Sequence, residues 1–242
     1  MFEGGLMNKK RIISLIILFF IIFGTNASAQ NWFKVQGTES KDAPPVNLWG
    51  FIQPTYYYDQ SDVSEDASFQ KNEFNLRRAR LGVRGAVPKT DRNVNYFLLT
   101  EWGHNGVTQD PNGLEGNFAA LTDASVTLNY IPALRLRFGQ FKLPLGFDGL
   151  QAIQAHSYIE FSDVYAEMMM QRFGLNRSVG AYRDIGAQVF GWRNFGDKKS
   201  FELAYAFIIA NGNGINAQDN DANKDIAGKM IEAVEKDLKY QK

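Results

Sequence analysis

Two stretches of this chain place arginines at alternate positions. Residues 76–85 read LRRARLGVRG and residues 134–142 read LRLRFGQFK. Side chains of an extended strand alternate between two faces. In the first stretch Arg78, Arg80 and Arg84 therefore share a face with Gly82, opposite Ala79, Leu81 and Val83. In the second, Arg135 and Arg137 oppose Leu134, Leu136 and Phe138. A guanidinium is permanently charged and presents a planar fork that matches phosphate oxygens in pairs. Ladders of such groups select anions in pores. Wound as a helix, Arg77, Arg78, Arg80 and Arg84 would spread over much of the surface, so period two is the simpler reading.

A strand with cations on one side and apolar groups on the other suits a wall between lipid and a water-filled lumen. In a soluble core the same guanidiniums would be buried without partners at high cost. Further segments fit that wall. Residues 46–58 form a first strand whose Trp49, Phe51, Tyr56, Tyr57 and Tyr58 supply aromatics for an interface girdle. Residues 93–101 are apolar on both faces through Tyr96, Phe97, Leu98 and Leu99. In the next strand Ala120, Thr122, Ala124, Val126, Leu128 and Tyr130 share one face, opposite Asp123, Ser125, Thr127 and Asn129. Ile185, Ala187 and Val189 mark a sixth strand opposite Asp184, Gly186 and Gln188, and residues 201–210 form a seventh. Residues 225–231 are a candidate eighth. The connections alternate long and short, as in outer-membrane barrels with short periplasmic turns. Beyond Ile226, apolar residues at Met230, Val234 and Leu238 fall four apart, which is helical spacing.

The whole composition agrees with strands: aromatics at 14% and 22 glycines suit a sheet with turns better than a helical bundle. Cysteine is absent, which excludes disulfides, thiolate metal sites and thiol catalysis. The 26 basic and 26 acidic residues balance, which argues against nucleic acid as a partner. Lys9, Lys10 and Arg11, the apolar run 12–23 and Ala27-Ser28-Ala29 read as a cleaved signal peptide with a mature start near Gln30. No later segment is apolar and long enough for a spanning helix, so a membrane-embedded mature chain must be a barrel.

The runs FNLRRARLGVRG (74–85), LRLRFGQFKLPLG (134–146) and ANGNGIN (210–216), in that order, resemble the phosphate-selective porins, the porin O and P family of bacterial outer membranes. The resemblance covers about residues 46–230. It implies a sixteen-stranded, homotrimeric barrel in outer-membrane lipid, whose basic lumen passes phosphate or other small anions without a cofactor. Carried onto this sequence, the anion-binding lumen falls on Arg78, Arg80, Arg84, Arg135 and Arg137, with Lys142 at the mouth of the long loop 143–182. That loop is long enough to enter the lumen as a constriction, with a short helix within residues 158–170. Arg172, Arg177 and Arg183 beside it read as solvated loop charges.

The resulting expectation is an all-β chain. It is an antiparallel up-and-down transmembrane β-barrel wall of seven or eight strands, an incomplete barrel, preceded by a signal-peptide helix. Its parts are a signal peptide (1–29), a polar leader (30–45), the partial porin barrel (46–231) and an atypical tail (232–242). Two other readings use the same strands. One is a non-conducting outer-membrane or surface β protein, marked by arginines paired with carboxylates such as Asp123 and Asp184. The other is a truncated porin fragment. Residues 219–225 have the oxygen spacing that opens a calcium loop, but Lys224 and Met230 stand where Gly and Glu are needed. His104 and His156 are isolated, and no catalytic motif is present. Nothing here indicates an enzyme.

Overall fold

The computed structural model describes residues 36–58, 72–87, 91–105, 108, 119–145, 149, 153, 182–195 and 201–234. The signal peptide, Arg172, Arg177, His156 and the helix expected within 158–170 lie outside the described residues. Eight antiparallel strands form one sheet in chain order: β1 (Asn47–Tyr58), β2 (Asn72–Ala86), β3 (Val94–Trp102), β4 (Ala120–Ile131), β5 (Leu134–Lys142), β6 (Arg183–Phe195), β7 (Phe201–Ala210) and β8 (Asp225–Val234). The sheet is not closed; among the described residues β1 and β8 are its edges. Short connections follow β2, β4 and β6, and long ones follow β1, β3, β5 and β7.

The two faces differ as the alternation predicts. Leu81, Leu136, Phe138, Phe207 and Ile209 are exposed on the outer face. Arg78, Arg80, Arg135 and Arg137 are buried on the inner one. The apolar ambiguity of β3 also resolves: Leu98 is exposed, whereas Phe97 and Leu99 are buried in an inner cluster with Phe190 and Ala206. Burying each such large side chain contributes about 1.5–3 kcal/mol, so the inner face holds apolar packing between its charges.

Three expectations are corrected. Trp49 and Phe51 are not girdle residues, because odd positions of β1 face inward. Trp49 packs on the inner cluster, its ring 6.0 Å from that of Phe97. It fits because its cross-strand partner is Gly82, where a Cβ would lie 2.6 Å from the indole. Only Tyr56 of that group is shown on the outer face, beside Phe74 with ring centroids 4.9 Å apart; the side chains of Tyr57 and Tyr58 lie outside the described set. The second correction is in β4. The β3–β4 register skips Thr122, a bulge that leaves Leu121 exposed and Thr122 buried, its hydroxyl donating to the Leu99 carbonyl at 3.0 Å. Thr122 therefore does not share a face with Ala124 and Val126. The third is the C-terminal region, where residues 225–234 are a strand rather than the start of a helix. A spacing of four is also even, so Ile226 and Met230 fall on one strand face, and both are exposed.

A second bulge lies in β2. Gln53 pairs with Arg78 and Pro54 with Leu76, so Arg77 is the extra residue, opposite a proline that has no N–H to give the ladder. The bulge changes the phase of the strand: Phe74 and Leu76 are exposed before it, and Arg78 and Arg80 are buried after it. The turn after β2 is closed by Asp91. Its carboxylate accepts from the Tyr130 hydroxyl and from the backbone and side-chain nitrogens of Asn93 at 2.9 and 3.0 Å.

Leu81→Arg places a charge on the outer face and is expected to destabilise the protein in lipid vesicles by about 2–4 kcal/mol if the site lies near the bilayer midplane; equilibrium unfolding measures this, with no loss expected for Leu81→Val. The hydrogen bonds at Asp91, the Tyr130 hydroxyl first, hold its carboxyl below the usual 3.8. Because the folded value is depressed, its contribution is present above the unfolded value and lost as pH falls through the folded one. Tyr130→Phe is expected to raise the Asp91 midpoint toward the unfolded value, as read by carboxyl NMR titration.

Candidate functional site

The strands carry their cations to one concave surface. Arg78, Arg80, Arg135, Arg137 and Lys142 are all at most 5% exposed, and Arg84 is half-buried. Arg183 joins them with no exposure at all. It is not a solvated loop charge, because β6 begins at that residue and pairs it with Lys142 of β5. Lys142 is the last residue of β5, where the long loop begins, and it is buried there. Gly139, at φ 120°, interrupts the alternation of β5, and Gln140, Phe141 and Lys142 after it are all buried. The Lys142 ammonium lies within electrostatic range of Arg80, Arg183, Asp123 and Glu101.

Two carboxylates hold this group together. Glu101 sits opposite Arg80 in the β2–β3 register. Arg80 Nε donates to Glu101 Oε2 at 2.8 Å, and Arg80 Nη2 lies 2.6 Å from the same oxygen. Asn105 donates to Glu101 Oε1 at 3.0 Å, and Arg78 Nε lies 3.9 Å from that oxygen. Asp123 accepts from Arg183 Nε at 3.0 Å. Asp184, the other carboxylate anticipated as an arginine partner, instead accepts backbone N–H groups from Ile185 and Gly212, each at 2.6 Å. Among the described residues, six buried cations (Arg78, Arg80, Arg135, Arg137, Lys142, Arg183) share the fold with three buried carboxylates (Glu101, Asp123, Asp184). Among these residues the inner face carries an excess of cations.

Aromatic rings back most of these cations. Arg80 lies 5.6 Å from the centroid of Phe51, Arg135 3.7 Å from Trp192, and Arg137 4.2 Å from Phe190. Lys142 and Arg183 share the buried ring of Tyr182, at 5.6 and 4.6 Å. Each contact is worth about 0.5–2 kcal/mol and uses none of the cation's hydrogen-bond donors. At Arg183 both terminal nitrogens, Nη1 and Nη2, are buried and have no hydrogen-bond partner among the described residues.

Two segments outside the sheet reach this surface. The leader crosses the inner face from the short-turn end, where Glu39 meets Arg84, to Gln36, which is fully buried and whose amide donates to Asp123 Oδ1 at 2.6 Å. Beside the leader is a cleft of about 420 Å³ whose lining includes Glu39, Lys41, Arg92, Asn129 and Arg135. At the opposite end the loop after β7 is clasped to β5, where Asn216 N donates to Gln140 Oε1 at 2.7 Å and Gln140 returns a bond to Asn216 Oδ1 at 3.1 Å. The ANGNGIN run is thus a loop fastened to the wall. Further along, Asp219 is occupied by Lys224 and the Asp221 backbone, and among the described residues no cluster of three or more His, Cys, Asp or Glu is placed to hold a metal.

Sequence reasoning missed Arg183, Glu101, Gln36 and the ring partners. Parity could have found Glu101, Phe51, Phe190 and Trp192, since all lie on the inner positions of their strands; nothing local marks Gln36. Asp123→Asn removes the countercharge of a fully buried arginine and is expected to cost about 3–5 kcal/mol in urea unfolding. The exposed Asp219→Asn is expected to change stability by less than about 0.5 kcal/mol.

A family model described as phosphate-selective porin O and P matches residues 51–234. No curated protein and no solved structure matches the chain. The match begins within β1 and ends with β8, so it spans the sheet whose outer face is apolar and whose inner face is basic. On that extent the chain belongs to the phosphate-selective porin O and P family, outer-membrane channel proteins rather than enzymes.

Proposed function

We propose that the protein passes small anions, phosphate favoured, by passive conduction along its basic inner face. The observation that carries this reading is the unequal count of buried charges: six cations against three carboxylates among the described residues. An electropositive, partly desolvated lumen concentrates anions and excludes cations. Arg78, Arg80, Arg84, Arg135, Arg137 and Lys142 are the proposed anion contacts, and Arg183 joins them because its two terminal nitrogens have donors to give. Phosphate is favoured over a spherical ion because its oxygens can accept two parallel guanidinium N–H bonds. Partial neutralisation by Glu101 and Asp123 weakens each contact. That suits conduction, since an ion must leave as well as enter. Cleavage after Ala29, assembly as a homotrimer and residence in outer-membrane lipid complete the proposal.

A second reading, a non-conducting β protein of the outer membrane, is favoured by the pairing of Arg80 with Glu101 and of Arg183 with Asp123. Planar-bilayer recording of the refolded full-length protein separates the two. The first reading expects unitary steps whose reversal potential in a salt gradient is anion-selective, with conductance reduced by added phosphate. Lys142→Gln and Arg183→Gln are expected to move the anion-to-cation permeability ratio toward unity. Cation-selective steps, or a ratio indifferent to both substitutions, contradict the proposal; folded protein without steps supports the second reading.

A further inference from the structure

The leader treats the lumen cations as a ligand would. Gln36 places its backbone carbonyl on Arg137 Nη2 and its side-chain oxygen 3.5 Å from Arg137 Nη1. Glu39 places a carboxylate oxygen 3.3 Å from Arg84 Nε. Two of the proposed anion contacts are therefore engaged by oxygens of residues 36–39. The remaining Arg137 bonds go to the wall: Nε donates to Thr127 Oγ1 at 3.2 Å and Nη1 to Gln188 Oε1 at 2.9 Å, with the Phe190 ring behind. Arg137 thus keeps its position without the leader, and the edge of its fork that Gln36 occupies is the edge an anion would use.

The leader's own attachment has two parts. Its second half is fastened by bonds from Arg92 to the Lys41 and Ala43 carbonyls and by the Tyr96 hydroxyl donating to the Pro45 carbonyl at 2.7 Å. Its first half belongs to no strand. It is held by the Gln36 amide donating to Asp123 Oδ1, by bonds to Asn95 and Asn129 through the Glu39 backbone, and by Arg137 and Arg84, the two partners that a diffusible anion also seeks. The chain turns at Gly37, which adopts φ 65° against Thr127 and Phe97.

We infer that residues 36–39 are a tethered ligand of the lumen: Gln36 and Glu39 compete with the permeating anion for Arg137 and Arg84, so this segment sets the anion affinity of the channel's short-turn end. The inference rests on the anion-channel reading above. It makes Gln36 a determinant of affinity, although Gln36 lies outside the strands that form the wall.

The absence of native cysteine allows a direct test. A Cβ built on Gly37 lies 4.0 Å from the Thr127 Cβ, inside the roughly 3.5–4.5 Å that a disulfide requires. In full-length Gly37→Cys/Thr127→Cys protein, oxidation is expected to pin the leader. The phosphate concentration that halves conductance should then rise roughly tenfold, the loss of charge-assisted bonds at one guanidinium, and return on reduction. Gln36→Ala/Glu39→Ala, which introduces no thiols, is expected to lower that concentration severalfold. Equal phosphate sensitivity in oxidised and reduced protein, together with an unaltered Gln36→Ala/Glu39→Ala variant, overturns the inference while leaving the anion channel intact. Steps without anion preference in either redox state defeat the channel reading itself, and the inference with it.

Discussion

Among the described residues the buried cations outnumber the buried carboxylates, and the packing of the inner face answers to that excess. A buried guanidinium must be met by countercharge, hydrogen bonds or a polarisable surface, or it costs several kcal/mol. Glu101 serves Arg80 and lies near Arg78, Asp123 serves Arg183 and Glu39 serves Arg84, while Arg137 and Arg135 take neutral partners. Arg137 uses Thr127, Gln188 and the leader. Arg135 uses Asn129, the Pro132 carbonyl and the face of Trp192. Such partners satisfy donors without cancelling charge. The inner face can therefore be fully built and still electropositive, which a wall of paired Arg and Asp could not be.

The same requirement explains why the inner face is not uniformly polar. Phe51, Phe190, Trp192 and Tyr182 hold the cations by their rings, while Phe97 and Leu99 fill the space between charged rows. Rigid rings restrict the long side chains to a few positions, so the inner face presents ordered donors rather than a flexible brush. The outer face follows the opposite rule and is apolar because lipid offers no partner to a charge. The edges carry a further constraint. Among the described residues β1 and β8 are the edges of the sheet, and in a bilayer their outward backbone groups need hydrogen-bond partners.

Face assignment was legible in the sequence because arginine and leucine occupy opposite parities in β2 and β5, and no soluble packing accommodates both. Phase was less legible. The bulges at Arg77 and Thr122 arise from the register between two strands, which one strand's pattern does not contain. Trp49 and Phe51 illustrate a different loss. An aromatic at a membrane interface and an aromatic under an arginine share one composition, and parity relative to the arginines separates them. The helical reading of the C-terminal region failed because a period of four is compatible with both helix and strand. The leader was illegible for a deeper reason: Gln36 meets residues 87 and 101 positions away, and a short polar segment has no periodicity to betray its contacts.

Affinity and throughput oppose one another in a channel, and this arrangement offers a physical compromise. A fully unpaired arginine would hold a phosphate through two charge-assisted bonds and release it slowly. An arginine already engaged by a carboxylate or carbonyl exchanges one partner for another, so the net gain on binding is the difference between two bonds. Along the inner face that difference varies. It is small at Arg80, whose Glu101 partner is ionic and buried, and larger at Arg183, whose terminal nitrogens have no hydrogen-bond partner among the described residues. It is intermediate at Arg137, where the displaced partner is a neutral carbonyl. Under the proposed anion conduction, a graded series of such exchanges would let an anion move by replacing one set of oxygens with the next, without passing through a fully desolvated state.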